Sequence, residues 1–187
     1  DFDTLIGGEG DDVLFGENDS DFLNGGTGDD SLDGGNDNDT FTGGEGDDVI
    51  DGGREDDLIN AGPGDDRLDG LFGNDTIFGE AGDDLIFPGR DNDQVDGGDG
   101  HDVILEDFGN DTLAGGPGDD TIDGGFDNDV ITGGTGNDVL RGSFGDDSIS
   151  GDEGDDTLQG GLGMDTLDGG PGTDTCTEGE AVTNCEP

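Results

Sequence analysis

Histidine, cysteine and basic residues are scarce in this chain, which has one His, two Cys and four Lys or Arg among 187 residues. Zinc and copper prefer clustered thiolates or imidazoles, so this scarcity argues against sites for either metal. Against the four basic residues stand 53 acidic ones, which give a formal net charge of −49. Such a polyanion has no direct means of binding nucleic acid or an anionic membrane unless a cation bridges the two.

Long apolar runs are also absent. No signal peptide, transmembrane run or amphipathic helix is visible, and the beginning at Asp1 inside a repeat suggests a processed or trimmed fragment. Only 25% of the residues are hydrophobic and 44 are glycine, the residue that loses most backbone entropy on folding. By composition and self-repulsion, the bare chain is predicted to be disordered.

What the chain does have is an aspartate at every ninth position from Asp3 to Asp174, without a shift of frame. Residues 7–177 divide into nineteen complete nonapeptides, and repeats of this kind predict a solenoid in which each unit packs against its neighbours. The aspartates are Asp3, Asp12, Asp21, Asp30, Asp39, Asp48, Asp57, Asp66, Asp75, Asp84, Asp93, Asp102, Asp111, Asp120, Asp129, Asp138, Asp147, Asp156, Asp165 and Asp174.

The eighth position of the repeat is apolar throughout, from Leu5 to Leu167 and then Cys176, and its neighbours vary between β-formers and polar residues. This alternation predicts a strand of about three residues after each glycine-rich turn. Two units then form one coil of eighteen residues, with strands on opposite sheets and turns along two edges. Ten coils stacked at about 4.7 Å would form a rod roughly 45 Å long.

The nonapeptides follow the pattern G-G-x-G-x-D-x-U-x, in which U is a large aliphatic residue; residues 25–33, for example, read GGTGDDSLD. This pattern resembles the RTX (hemolysin-type) calcium-binding repeat over roughly nine-tenths of the chain. The resemblance implies an all-β fold, a right-handed parallel β-roll with calcium-binding turns on both edges. It further implies that each ion lies between same-edge turns of adjacent coils, held by two sixth-position carboxylates and about four backbone carbonyls.

Calcium also suits the ligands on offer, because carboxylates and carbonyls are hard oxygens and magnesium usually retains several waters. Ten turns on each edge leave nine gaps, so about 16 to 18 Ca²⁺ ions are expected. Their charge would cancel most of the −49, and a calcium-driven folding transition is predicted. The alternative is that the aspartates only cap turns, which would leave the repulsion unsolved.

Departures from the pattern are concentrated on the second edge, the one that contains Asp3 and Asp21. There an acid often replaces the fourth-position glycine, whose turn is expected to need a positive φ. Such an acid either adds a ligand or merely solvates the edge; the residues are Asp19, Asp37, Glu55, Asp91 and Asp127. Losses at the first or second position put individual ion sites in doubt, at Ala61, Leu71, Glu80, Pro88, Glu106, Asp107, Ser143 and Asp152.

The third position on the second edge places Phe72, Phe108, Phe126 and Phe144 at coil spacing. This strip is either a surface for a protein partner or, as we favour, a ladder of turn side chains that shield one another. His101 is interpreted as a solvated turn residue, since no Ser, Cys or second His accompanies it. No carboxylate pair stands out from the rest, so we expect no enzymatic activity.

The predicted β-roll spans residues 1–177, and residues 178–187 form a different, capping tail. Cys176 and Cys185 are expected to form a disulfide over the open end, although two free thiols are the alternative. A disulfide implies an oxidising, extracellular or cell-surface setting. The tail departs from the many RTX proteins that lack cysteine and carry a C-terminal secretion signal, which leaves the export route open.

The function predicted from the sequence is calcium binding by a secreted, monomeric RTX β-roll that does not insert into membranes. One alternative is an ice-binding or adhesive surface, although the Thr and Asn rows that it would need are interrupted. Another is the repeat portion of a larger secreted toxin or hydrolase.

Overall fold

A computed structural model describes residues 1–185 of the chain as two parallel β-sheets. The last two residues of the predicted tail, Glu186 and Pro187, lie outside the described residues. Sheet 1 contains β1 (Thr4–Glu9), β3 (Phe22–Thr27), β5 (Thr40–Glu45), β7 (Leu58–Pro63), β9 (Thr76–Ala81), β11 (Gln94–Asp99), β13 (Thr112–Pro117), β15 (Val130–Thr135), β17 (Ser148–Glu153), β19 (Thr166–Asp168) and β21 (Ala181–Thr183). Sheet 2 contains β2 (Val13–Asn18), β4 (Ser31–Asn36), β6 (Val49–Arg54), β8 (Arg67–Phe72), β10 (Leu85–Phe87), β12 (Val103–Leu105), β14 (Thr121–Asp123), β16 (Val139–Phe144), β18 (Thr157–Leu162) and β20 (Thr175–Thr177).

Odd-numbered strands pair with odd and even with even, so the chain crosses between the sheets at every turn. The register is eighteen residues throughout the repeats, as in the pairs Leu23–Phe41 and Ile104–Ile122. The predicted all-β parallel roll of about ten coils is therefore confirmed. None of the described residues forms a helix that is long and apolar enough to cross a membrane.

The core is a double stack of the eighth-position side chains. Each one from Leu23 to Leu167 is at most 4% exposed, and Ala61 is the only other apolar residue among the buried core residues described. Leu5, Leu14 and Cys176 are partly buried because they lie in the end coils. Each of the two stacks is one side chain wide, so each coil depends on the coils above and below it for apolar contacts.

Most strands are six residues long, twice the length predicted from the sequence. They begin at the seventh repeat position and continue through the first three positions of the next repeat, where Gly26 pairs with Gly44. The prediction was too short because it counted β-forming side chains, whereas a parallel ladder needs only backbone N–H and C=O groups. Only six strands, β10, β12, β14 and β19 to β21, have three residues.

The tail continues the roll by one strand. β21 pairs with β19 through the register Leu167–Val182, and Cys176 is bonded to Cys185 with their Cα atoms 5.8 Å apart. The predicted disulfide is therefore present. Because the tail is shorter than a full coil, Val182 stays 46% exposed at the end of the stack.

Candidate metal centres

The twenty aspartates of the sequence pattern form two continuous rows, one along each edge of the roll. In every coil the backbone N–H of one aspartate donates to Oδ1 of the aspartate eighteen residues later. The N–H of Asp30, for example, lies 2.8 Å from Asp48 Oδ1, and that of Asp48 lies 2.7 Å from Asp66 Oδ1. The first row runs from Asp12 to Asp174 and the second from Asp3 to Asp165, so the structure brings together the residues that the sequence pattern selected.

The second carboxylate oxygen, Oδ2, has a different environment. From Asp12 to Asp174, Oδ2 of every sixth-position aspartate is buried and has no hydrogen-bond partner among the described residues. Asp3, in the first turn, is exposed. Burying an unpaired carboxylate oxygen is among the most unfavourable arrangements that a protein can contain. A repeated array of such atoms is the arrangement that a row of cation sites would present.

The first-position glycines leave space beside these oxygens. A Cβ built on Gly7 would lie 2.6 Å from Asp12 Oδ2 and 2.6 Å from the carbonyl oxygen of Gly25, in the next coil. At Gly16 the corresponding distances are 2.9 Å to Asp21 Oδ2 and 2.6 Å to the carbonyl oxygen of Gly34. Carboxylate and carbonyl oxygens from adjacent coils thus converge on the space that these glycines leave open. This donor set consists of hard oxygens and fits calcium.

Burial also shifts the titration of carboxyl groups in the middle of the two rows. Desolvation raises the pKa of Asp57, Asp93 and Asp129 to about 8, assisted by neighbouring aspartates and opposed by the backbone N–H bond to Oδ1. Desolvation likewise raises the pKa of Asp66, Asp75 and Asp120 to about 7, and that of Asp39, Asp48, Asp84, Asp111, Asp138 and Asp147 to about 6. Without a counter-charge, these carboxyl groups resist full ionisation near neutral pH.

Comparison with known proteins agrees with this geometry. The family of the RTX calcium-binding nonapeptide repeat (4 copies) matches residues 1–32, 24–59, 33–68, 60–95, 69–104, 107–140 and 141–176. The chain belongs to this family. Its RTX repeats imply calcium binding by a β-roll, and rolls of this family are typically non-catalytic. No curated protein matches the chain.

The matched RTX segments leave out Leu105 and Glu106, and the structure is unusual at this point. Glu106 replaces a first-position glycine on the second edge, and its side chain turns inward between Asp93 and Asp111. One carboxylate oxygen from each of the three residues lies within 4.8 Å of the other two. Burial, reinforced by Asp111, raises the pKa of Glu106 to about 9. Sequence reasoning placed Glu106 among the departures that put individual ion sites in doubt, because the pattern could not reveal the direction of its side chain.

Fourth-position acids of the RTX repeats adopt the predicted positive φ, from 68° at Glu55 to 82° at Asp91. Two of their carboxylates form an exposed ladder, in which Asp19 N–H donates to Asp37 Oδ2 at 3.1 Å and Asp37 N–H donates to Glu55 Oε2 at 2.9 Å. These two side chains therefore point along the outside of the edge, as the interpretation of a solvated edge requires.

An outer row of fifth-position side chains accompanies the first RTX edge, and sequence reasoning missed it. The N–H of His101 donates to Asp83 Oδ1 at 2.9 Å, and the N–H of Asp119 donates to His101 Nδ1 at 2.8 Å. His101 thus occupies the place that an aspartate has in neighbouring coils, such as Asp65 beneath Asp83. The near-regular Asp or Asn at this position was the available signal.

The end of the second RTX row contains another residue that the sequence pattern did not select. Glu180 Oε2 accepts the N–H of Asp165 at 2.8 Å, which is the bond that a sixth-position aspartate would make eighteen residues later. Here the separation is only fifteen residues. The break in spacing conceals Glu180 from a nine-residue pattern, and only the folded tail places it at the end of the row.

Proposed function

We propose that this RTX β-roll binds calcium along both edges and, at neutral pH, folds only when calcium is present. The ligands are Oδ2 of the sixth-position aspartates together with first-position carbonyls of the adjacent coil. The single observation that carries the proposal is the array of buried, unpartnered Oδ2 atoms from Asp12 to Asp174. Calcium supplies a divalent charge that these oxygens share.

The number of ions follows from the two rows. Nine gaps on each edge give about 16 to 18 ions, which contribute roughly +32 to +36 against the net charge of −49. Because an ion position requires two adjacent coils, the unfolded chain has none. The free energy of ion binding therefore becomes free energy of folding.

We further propose that the roll acts outside the cell as a monomer and has no catalytic activity of its own. The Cys176–Cys185 disulfide supports an oxidising compartment, and RTX repeats are typical of secreted proteins. Residues 178–185 cap the last coil. The aromatic strip contains Phe108, Phe126 and Phe144, whose ring centroids lie 4.8 Å apart in a stack, and this contact favours mutual shielding over a partner surface.

An ice-binding surface has weaker support. Along the outer face of sheet 1 the seventh-position row alternates Phe22, Thr40, Leu58 and Thr76 in register. A regular threonine ladder is therefore interrupted at every second coil there. A thermal-hysteresis measurement on the folded protein is expected to show no activity.

The test of the proposed function is a far-UV circular dichroism titration of metal-free protein with calcium, beside a magnesium control. We expect a coil-to-β transition that is specific for calcium. Ions are then counted on the folded protein, and about 16 to 18 are expected. At neutral pH, a chain that is already β-folded in excess chelator would contradict calcium-driven folding. A chain that folds on addition of calcium but retains no bound calcium would contradict the whole proposal.

A further inference from the structure

We propose that Glu106 adds a third side-chain carboxylate to the ion position between Asp93 and Asp111, and that this position attracts cations more strongly than the others along the roll. The inference rests on the proposed function, because it concerns one of the same calcium positions. It goes beyond the regular repeat, in which the first position supplies only a backbone carbonyl.

The first support is the convergence of three buried carboxylates. Glu106 is 9% exposed, and Asp93 and Asp111 are each 1% exposed. Their oxygens lie within 4.8 Å of one another, close enough for one ion to contact all three. Among residues 1–185, no other group of three or more His, Cys, Asp or Glu meets this distance.

The second support is that the converging atoms lack partners. Oε1 of Glu106 accepts the N–H of Asp107 at 2.7 Å, which fixes the orientation of the carboxylate. Oε2 of Glu106 is buried without a hydrogen-bond partner in the described structure, as are Oδ2 of Asp93 and Oδ2 of Asp111. The free oxygens suit a shared cation.

The third support is a local change of backbone. Every second-position residue from Gly8 to Gly170 has a positive φ except Asp107, which directly follows Glu106. Strands β10, β12 and β14 belong to three consecutive coils, and each is shortened to three residues. The turn that carries Glu106 thus differs from the regular turn.

Charge explains why this position should differ in affinity. In the rows, each aspartate faces two neighbouring positions, so each ion receives about one full negative charge. Glu106 faces one position and adds a whole charge there. Calcium affinity rises with the number of charged ligands, and the attraction grows in proportion to the charge of the ion. A trivalent ion should therefore select this position first.

The experiment adds terbium(III) to the full chain at saturating calcium, so that the roll stays folded while terbium luminescence reports exchange. We expect one preferred terbium per chain in the unchanged protein. Glu106→Gln keeps the shape of the side chain and removes its charge. It should weaken the affinity of terbium for this preferred position roughly tenfold or more. The matched control is Glu45→Gln, which removes the same charge at an exposed first-edge position and should leave the preferred class intact.

Glu106→Gly provides a second variant, because glycine occupies this position in most repeats and is compatible with the roll. This variant should also lack the preferred terbium position, and circular dichroism should show that it remains folded. A preferred terbium class that survives in both Glu106 variants would overturn the inference, as would uniform terbium binding in the unchanged protein. If the unchanged protein neither binds calcium nor folds with it, the proposed function itself fails, which is a separate result.

Discussion

At the scale of the residue, the two oxygens of each sixth-position aspartate have separate tasks. Oδ1 joins adjacent coils by accepting a backbone N–H, and Oδ2 faces the space beside the first-position glycine. Aspartate is the side chain that performs both tasks, because its short carboxylate reaches the neighbouring backbone and keeps one charged oxygen free. Spacing in the sequence was enough to identify these aspartates. The different contacts of Oδ1 and Oδ2 could be seen only once the register of the coils was known.

Asp66→Asn tests the separate roles of Oδ1 and Oδ2. Asparagine retains an oxygen for the N–H of Asp48 but replaces Oδ2 with an amide, which repels a cation. We expect fewer bound ions and a higher calcium midpoint for folding, equivalent to a loss of about 1–3 kcal/mol. Circular dichroism titration and ion counting measure both quantities.

The control is the adjacent Asp65→Asn, which makes the same change of charge at an exposed fifth position. Asp65 Oδ1 accepts the N–H of Asp83 at 2.9 Å, and asparagine can maintain that bond. The midpoint should therefore change little. Equal effects of the two substitutions would show that total charge, and not the position of Oδ2, controls folding.

At the scale of the element, the apolar eighth-position residue of each repeat from Leu23 to Leu167 is buried between two neighbours that face outward. Ile104 is fully buried between Ile86 and Ile122, while its neighbour Leu105 is 38% exposed. This alternation was predictable from the sequence because successive side chains in a strand point to opposite faces. The extension of most strands through the glycines was not, since backbone pairing leaves no mark in side-chain patterns.

Ile104→Ala should therefore lower the free energy of unfolding of the calcium-loaded roll by about 2–5 kcal/mol, because the narrow stack cannot collapse around the cavity. Leu105→Ala, one residue away, should change it by less than about 1 kcal/mol. Urea denaturation at fixed calcium concentration distinguishes the two. A similar loss in both variants would indicate that the apolar stack does not determine stability.

At the scale of the whole molecule, the rows of buried carboxylates couple folding to pH. Where burial raises the folded-state pKa from 3.8 to about 6–8, the unfolded state binds fewer protons in that range. These groups stabilise the ion-free fold fully below pH 4, and their contribution is lost as pH rises through about 6 to 8.

We accordingly expect the ion-free chain to gain β-structure on acidification from pH 8 to pH 4, because protons then neutralise the rows in place of calcium. Circular dichroism in the presence of a chelator measures this gain. An ion-free chain with the same spectrum at both pH values would show that repulsion between the carboxylates is not what prevents folding.

The disulfide acts at one end of the same molecule. It closes a loop between Cys176 and Cys185, nine residues apart, and holds β21 against β19. Its removal by Cys176→Ser with Cys185→Ser should lower stability by roughly 2–3 kcal/mol. Thermal denaturation with calcium present provides the measurement, and the unchanged protein under reducing conditions should match the variant. If the variant were as stable as the oxidised unchanged protein, the disulfide would not stabilise the last coil.

Spacing by itself determined the two sheets, the apolar stack, the two rows of aspartates and the candidate disulfide. A strict nine-residue period brings the eighth-position residues of successive coils together and does the same for the sixth-position residues. The inward turn of Glu106 and the substitution of Glu180 for a row aspartate were decided by tertiary structure alone. Both residues depart from the period, so their roles depend on which atoms the neighbouring coils bring close to them.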